Sequence, residues 1–470
     1  MNDISRISRN FAYLLAGGIA ASLVEFAAEV ILARHLSDTG YGYWSYAQSV
    51  FVYLILFADL GLTVYGAREI ARYKEKLPFF MANIIGMRMI SALVISIGLF
   101  TVIQFLHIST ELKLLYGGGS LVMFALAFDP VFVFQGLERM AGIALWRVLN
   151  FTFFLIGVLI FTLFDPGIAV VSWVRGASFL FAAIPLWFWI SKKIGVPAKS
   201  LISPAQWRPI LLVSIVIALS TLIINVYFTF DTLVLGWFRG AEEVGWYAAA
   251  YRFSCQFMGL AMIFQVVFGP VISRYRDDRE QLNKTIQNLQ LVLLLLGSLV
   301  SAGMFLLAGP LVNKLFGPDF HHSIWILQGQ SLVLLLFFLQ TGYITVLLYG
   351  GKERLYFICM TVGAALNLLL NIAFIPHWGY RGAVIVTGIS YLIILILAAF
   401  YTNRVFKFKR YITGRAVILV AGTVLLTLLL SRSKHEIIAT SMFVMIYIIA
   451  VYFMFGKHLL QLIGEIRFGE

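Results

Sequence analysis

The sequence predicts an all-α polytopic membrane protein, and three observations carry that prediction. Apolar residues make up 61% of the 470 residues and charged residues only 12%, and the mean hydropathy is +0.92, values that exclude a water-soluble fold. Apolar runs recur at about the 20-residue length with which a helix crosses a bilayer. Because these runs are continuous and do not alternate with polar residues, they favour helices over a β-barrel.

We predict about fourteen transmembrane helices from these runs. Their approximate ranges are 11–33, 43–66, 79–105, 114–136, 144–164, 168–190, 209–237, 245–270, 288–310, 323–349, 356–376, 382–402, 412–430 and 438–455. The first run contains two glutamates and lacks a small-residue cleavage site, so we interpret it as a retained helix and not as a signal peptide.

The basic residues predict the orientation of the chain. If the N-terminus is placed inside, most of the 35 Lys and Arg residues fall in inner segments, as they do in the cytoplasmic loops of membrane proteins. Both termini are therefore predicted to be cytoplasmic, with the protein in the cell (inner) membrane. This asymmetry and contact with anionic membrane lipids account for the net charge of +13, so no nucleic-acid partner is needed.

The chain contains an internal duplication. The segments 26–49 and 228–253 share one plan: an apolar helix with an acid, a polar turn, and a second helix that opens with glycine and aromatic residues. The pairs Gly42-Tyr43-Trp44 with Gly245-Trp246-Tyr247, and Ile70 to Tyr73 with Ile272 to Tyr275, show the match. Predicted helices 1–6 thus repeat as 7–12, which is a parallel repeat because six is even.

This repeat predicts the domain organisation. Residues 1–191 would form an N-terminal six-helix bundle, 192–208 a cytoplasmic linker, and 209–403 a C-terminal six-helix bundle. Residues 411–457 would add two helices outside the repeat, which we interpret either as packing helices or as a lipid-facing groove.

Arginines lie inside the predicted helices. Arg88 is roughly 15 Å from the inner end of its helix, and Arg175 and Arg252 are each ~10 Å from an outer end. A charge in the bilayer costs at least ~2.5–3.5 kcal/mol, so it faces a partner or a wet cavity. One interpretation is an ion pair that joins helices; the other is a basic cavity for a phosphate-bearing ligand, because guanidinium binds phosphate oxygens in a fork. Arg147, nearer an inner end, could meet that ligand first.

Two glutamates are candidates for ion coupling. Glu25 and Glu29 lie four residues apart on one helix face, where two adjacent charges repel. Either one of them carries a proton, or they pair with Arg34 or with a buried arginine. Both interpretations remain open.

Three aspartates have different expected roles. Asp231, a third candidate for ion coupling, lies near an outer helix end and is expected at the membrane interface. Asp59 and Asp129 lie toward inner ends and are expected to cap helices or to form ion pairs.

Aromatic residues at helix ends are expected in interface belts, Trp44 among them. For Trp246 and Tyr247 the alternative is stacking on a sugar. We predict no cofactor and no metal, because the sequence has no CxxC, His cluster or acidic metal loop. A Gly-Lys-Ser/Thr phosphate loop is also missing from the sequence, which argues against direct use of ATP.

Several segments resemble the Wzx-type polysaccharide and O-antigen flippases of the multidrug/oligosaccharidyl-lipid/polysaccharide exporter superfamily. They are LARHLSDTGYGYWSYAQ, FADLGLTVYGAREIAR, FQGLERM, VGWYAAAYRF and LNLLLNIAFIPHWGYRGAVIVTGIS. The resemblance implies two bundles around a cavity that opens alternately to each side. It also implies a transporter, not an enzyme, that moves a polyprenyl-diphosphate-linked oligosaccharide to the outer leaflet with H⁺ or Na⁺ coupling. A polysaccharide polymerase and glycosyltransferases are candidate partners.

The resemblance assigns one arginine directly. Arg252 stands in the family-like AAAYRF and would handle the diphosphate, whereas Arg88 and Arg175 are assigned to it by depth alone. A drug or cation exporter of the same superfamily would require an acid-dominated cavity. A peptidoglycan-precursor flippase also fits fourteen helices, and a membrane glycan polymerase or ligase would need a large outer loop, where this chain has only short ones.

Overall fold

The computed structural model describes residues 3–194, 202–406, 414–431 and 436–468. These residues are almost entirely helical, and no β-strand occurs among them, which confirms the predicted fold class. The chain forms two compact units, Met1–Gly245 and Trp246–Glu470, here called unit 1 and unit 2.

The helices of unit 1 are α1 (Asp3–Asp59), α2 (Leu62–Arg72), α3 (Leu77–Phe105), α4 (Thr110–Gly117), α5 (Gly119–Ala127), α6 (Val131–Gly136), α7 (Met140–Phe164), α8 (Ala169–Ile194) and α9 (Trp207–Arg239). The next helix, α10 (Ala241–Arg274), begins in unit 1 and continues into unit 2.

Unit 2 contains, after α10, the helices α11 (Arg279–Leu306), α12 (Ala308–Leu315), α13 (His322–Tyr349), α14 (Glu353–Phe406), α15 (Gly414–Leu430) and α16 (Glu436–Phe468). Among the described residues, 11 helices are long and apolar enough to cross a membrane. The chain is therefore a multi-pass membrane protein.

Two long helices each contain two of the predicted spans. Helical dihedrals are interrupted at Ser37 in α1, where φ is 59°, and at Gly379 in α14, where φ is 55°. The polar turns expected near these positions are therefore single breaks within otherwise helical chain. The span predicted at 114–136 corresponds to the consecutive helices α4, α5 and α6. The total of fourteen stays a prediction.

The two Ile-x-Arg-Tyr segments lie at corresponding helix ends, because the arginine of each is the last residue of its helix: Arg72 ends α2 and Arg274 ends α10. The predicted domain boundary at 192–208 stays a prediction, and residues 195–201 of that linker lie outside the described residues. Packing places α9 with α1 and α2 in unit 1.

The duplicated glycine-aromatic motifs contact each other directly within unit 1. A Cβ atom added to Gly42 would overlap the backbone carbonyl of Ala241, and one added to Gly245 would overlap the carbonyl of Asp38. The two contacts are reciprocal, because each glycine meets backbone that lies four residues before the other glycine. Only a residue without a side chain permits such close approach of two backbones.

In unit 2, α15 and α16 pack against α11. Phe443 and Tyr447 are buried there, and the Tyr447 hydroxyl lies 2.7 Å from the Ser298 hydroxyl and donates to the carbonyl of Leu295 at 2.8 Å. The described parts of these two C-terminal helices therefore pack on α11, and the alternative of a lipid-facing groove stays a prediction. Residues 411–413 and 432–435 of the predicted range lie outside the described residues.

The reciprocal glycine contact predicts the effect of alanine at these positions. Gly42→Ala and Gly245→Ala should each destabilise the fold by about 1–3 kcal/mol, because a new methyl group forces two backbones apart. Gly98→Ala is the control: nothing lies within 4 Å of its added Cβ, so it should be neutral or stabilise by about 0.5–1 kcal/mol. Thermal unfolding of the purified protein in detergent measures both effects, and equal midpoints for the three variants would contradict the contact.

Candidate functional site

Arg88 lies on α3 in a buried polar network at the junction of α1 and α2. Its side chain is almost fully buried, and its Nη2 lies 2.6 Å from Oδ1 of Asp59 in an ion pair. The guanidinium also donates to the hydroxyl of Thr63 and, at 3.5 Å, to the backbone carbonyl of Asp129. The ring of Phe132 lies 5.1 Å from its central carbon. Arg88 is thus bound by neighbours inside unit 1.

Asp59 is the last residue of α1, and the left-handed backbone of Gly61, with φ of 75°, separates it from α2. The carboxylate of Asp59 accepts the backbone N–H of Thr63 at 3.3 Å and its hydroxyl at 2.7 Å. Asp59 therefore caps α2 and pairs with Arg88, as expected. Asp129 accepts a backbone N–H at the start of α6 at 2.8 Å, which confirms a capping role.

Arg175 on α8 is held in an aromatic cage. Its guanidinium carbon lies 4.8 Å, 4.9 Å and 4.7 Å from the ring centres of Phe151, Phe154 and Phe179. Nη1 donates to Oδ1 of the buried Asn150 at 2.9 Å. Cation–π contacts of this kind stabilise a charge away from water, so the cage joins α7 to α8.

These contacts place Arg88 and Arg175 in different networks of unit 1. Arg147 lies exposed on α7, and Arg252 is half-buried on α10 in unit 2, where its backbone carbonyl accepts from the amide of Gln256 at 3.5 Å. A cavity shared by these arginines stays a prediction.

Glu29 is the buried member of the glutamate pair on α1. It is 2% exposed and accepts hydrogen bonds from the indole of Trp44 at 3.3 Å and the amide of Gln48 at 2.9 Å; Glu25 is only half-buried. The expectation that Trp44 lies in an interface belt is wrong, because it is fully buried and stacks on Phe154. Trp44 and Gln48 lie four residues apart and therefore share one helix face. This spacing was the sequence feature that could have predicted their common contact with Glu29.

Asp231 on α9 is 5% exposed, so its side chain is buried inside unit 1, and its expected depth at the membrane interface stays a prediction. Its carboxylate accepts the backbone N–H of Thr232 at 2.7 Å. Two residues earlier on α9, Thr229 donates to the hydroxyl of Tyr53 on α1 at 3.0 Å. The packing of α9 on α1 therefore explains the burial of Asp231.

Trp246 and Tyr247 lie in the interior of unit 2. Trp246 is 9% exposed and Tyr247 fully buried, so the belt interpretation is wrong for Trp246. The Trp246 ring lies 4.1 Å from that of His322, and its carbonyl accepts from Ser323 at 2.7 Å. Tyr247 stacks on Tyr251 at 5.8 Å. Sugar stacking at either ring stays a prediction.

The sequence did not single out an open pocket of about 670 Å³ in unit 1. It lies where α1 and α7 begin and α6 and α8 end, and Asn10, Tyr13, Glu138, Arg139, Leu145 and Trp189 are among its lining residues. The Arg139 guanidinium carbon lies 4.9 Å from the ring centre of Trp189. The FQGLERM segment contained the signal, because its arginine is Arg139.

Comparison with known proteins identifies relatives. The family described as polysaccharide biosynthesis protein matches residues 7–276. A protein of Escherichia coli (strain K12) named O-antigen transporter is 23% identical over 376 residues, covering 77% of this chain and 89% of that protein. A protein of Haloferax volcanii named flippase AglR is 26% identical over 246 residues, covering 51% of this chain and 52% of that protein.

Solved structures share the fold. The lipid II flippase MurJ in an inward closed conformation has a TM-score of 0.76 at 14% identity, covering 95% of this chain and 99% of that chain. An inward-facing multidrug resistance MATE transporter of the MOP superfamily has a TM-score of 0.65 at 16% identity, covering 82% of this chain and 94% of that chain. At these identities the likeness shows the fold alone.

The buried ion pair predicts a rescue experiment. Arg88→Met should destabilise the protein by about 3–5 kcal/mol, because it leaves the Asp59 carboxylate uncompensated. Adding Asp59→Asn should recover most of that loss, since an amide oxygen can still cap α2 without a charge. Thermal unfolding in detergent measures both variants, and a double variant no more stable than Arg88→Met would show that the pairing is unimportant.

Proposed function

This chain belongs to the polysaccharide biosynthesis protein family, and we propose that it is a flippase for a polyprenyl-diphosphate-linked oligosaccharide. It moves this lipid from the cytoplasmic to the outer leaflet for surface polysaccharide synthesis. The family match over residues 7–276 carries the proposal, and the relatives named O-antigen transporter and flippase support it. The protein is a transporter and not an enzyme.

The physical need for such a protein follows from the headgroup. A diphosphate carries negative charge, and a single charged side chain at the bilayer centre already costs at least ~2.5–3.5 kcal/mol. The sugars add hydroxyl groups that lipid tails cannot hydrogen-bond. A path lined by polar side chains removes this cost while the polyprenyl tail stays in the membrane. Alternating access is the mechanism that the family resemblance implies.

We assign the diphosphate to arginines according to their surroundings. Arg147 is exposed, and Arg252 is half-buried in its family-like segment, so both are proposed to meet the substrate. Arg88 and Arg175 each have close partners inside unit 1, which supports a role in holding helices together. The cell (inner) membrane and cytoplasmic termini are part of this proposal, with glycosyltransferases and a polymerase as partners.

For ion coupling we favour Glu29 over Glu25 and Asp231. Its carboxylate accepts from Trp44 and Gln48, which follow the break at Ser37 while Glu29 precedes it. Adding or removing a charge on Glu29 therefore changes the bonding between the two parts of α1. This link could convert H⁺ or Na⁺ binding into a change in helix packing.

A vesicle assay tests the flippase activity. Purified protein in vesicles should expose a fluorescently labelled polyprenyl-diphosphate oligosaccharide to a membrane-impermeant quencher faster than protein-free vesicles do, because the protein supplies the polar path. Ethidium export and lipid II flipping are measured in parallel. Ethidium export without movement of the oligosaccharide lipid would indicate a drug exporter, and movement of lipid II alone a peptidoglycan-precursor flippase.

Glu29→Gln tests the coupling in the same vesicles. The amide keeps the side-chain size but cannot take up or release charge, so flipping should lose its dependence on an imposed H⁺ or Na⁺ gradient. Glu69→Gln on α2 is the matched control, because Glu69 pairs with Arg68 near the protein surface. A wild-type gradient response in Glu29→Gln would remove Glu29 from coupling.

A further inference from the structure

The pocket beside Arg139 contains a basic group held in a fixed orientation. The Arg139 guanidinium stacks on Trp189, whose ring in turn lies 5.6 Å from that of Phe134. Stacking covers the face of a guanidinium but leaves its N–H groups at the edge. Those N–H groups can donate in a fork to two oxygens of one phosphate.

The turn that carries Arg139 is closed by several hydrogen bonds. The N–H of Arg139 donates to the carbonyl of Phe134 at 2.8 Å, the six-residue bond of a Schellman cap. The amide of Asn10 on α1 donates to the carbonyl of Glu138 at 2.9 Å. The start of α1 therefore holds the turn between α6 and α7.

The same turn has an unfavourable residue at its left-handed position. Glu138 has φ of 57°, whereas the corresponding cap of α13 in unit 2 places Gly351 there, with φ of 75° and a bond from Lys352 to the carbonyl of Leu347. Glycine adopts this conformation without strain, and a residue with a Cβ does not. Strained residues of this kind cluster at ligand sites, and Glu138 lines the pocket.

The surroundings of the pocket indicate an amphipathic anion. Its volume of about 670 Å³ is that of a small-molecule site. The last turn of α8, which follows Trp189, contains the exposed Lys192 and Lys193 outside the pocket lining, and the Nζ of Lys192 lies 4.3 Å from the ring centre of Phe188. On the other side, Tyr13 and Leu145 are about half exposed and continue the pocket into the apolar surface.

We propose that this pocket binds the phosphate-bearing headgroup of a membrane lipid, with Arg139 donating to the phosphate and the lipid tail lying beside Tyr13 and Leu145. The lipid is either a polyprenyl diphosphate, an assignment that rests on the proposed function, or an anionic phospholipid, an assignment that does not.

Lipid binding to the full-length protein tests this site without any flipping assay. Native mass spectrometry from detergent would measure retention of polyprenyl diphosphate, phosphatidylglycerol and, as the zwitterionic comparison, phosphatidylcholine. Arg139→Gln should weaken retention of the anionic probes by about tenfold or more, because it removes charge-assisted hydrogen bonds. Arg139→Lys keeps the positive charge but not the forked pair of donors, so its retention of the anionic probes should lie between that of Arg139→Gln and that of the wild type.

The matched control is Arg72→Gln, which removes an arginine that also stacks on an aromatic ring, Tyr73 at 5.9 Å, outside the pocket lining. It should retain lipid as the wild type does. If the wild type retains polyprenyl diphosphate more strongly than phosphatidylglycerol, the pocket is a substrate entrance. If it retains phosphatidylglycerol more strongly, the pocket is a phospholipid site. The proposal would be overturned if Arg139→Gln retained the anionic probes as well as the wild type does. It would also be overturned if the wild type retained phosphatidylcholine as well as the anionic probes. Either result would count even if the vesicles flip the oligosaccharide lipid.

Discussion

Inside a membrane a polar group has no water to bond with, so it must find its partners within the protein. Three charged residues within the helices of unit 1 meet this constraint in three ways. Arg88 pairs with the carboxylate of Asp59, Arg175 lies among three aromatic rings, and Glu29 accepts from an indole and an amide. Each solution joins helical segments that are separate in the chain, so satisfying the charge also fixes the packing.

The constraint also bears on transport. A protein that carries a diphosphate across lipid must hold positive charge in apolar surroundings, yet arginines that are already paired offer little to a substrate. The structure gives these arginines different environments: Arg88 and Arg175 are engaged by neighbours, whereas Arg139 and Arg147 are exposed. Exposure of the guanidinium edge, more than depth along a helix, therefore identifies arginines that can meet a phosphate.

The two copies of the predicted duplication show both matching and diverged features. Gly42 and Gly245 come from corresponding motifs and approach each other backbone to backbone, so one copy of the motif is the packing partner of the other. The two Schellman caps have diverged instead, with Glu138 at the left-handed position of one and Gly351 at that of the other. A shared backbone shape thus persists where one copy has acquired a residue that strains it.

The sequence by itself determined the all-helical membrane fold, because lipid imposes long apolar runs that are visible in composition, and its motifs indicated the family; the duplication and the fourteen spans stay predictions. It also indicated Asp59 as a cap or ion-pair partner. Tertiary structure alone decided that Asp59 meets Arg88, that Asp231 and Trp44 are buried, and that a pocket forms beside Arg139. These features depend on which faces of distant helices meet, and in a chain that is apolar on nearly every face, helical periodicity does not specify that pairing.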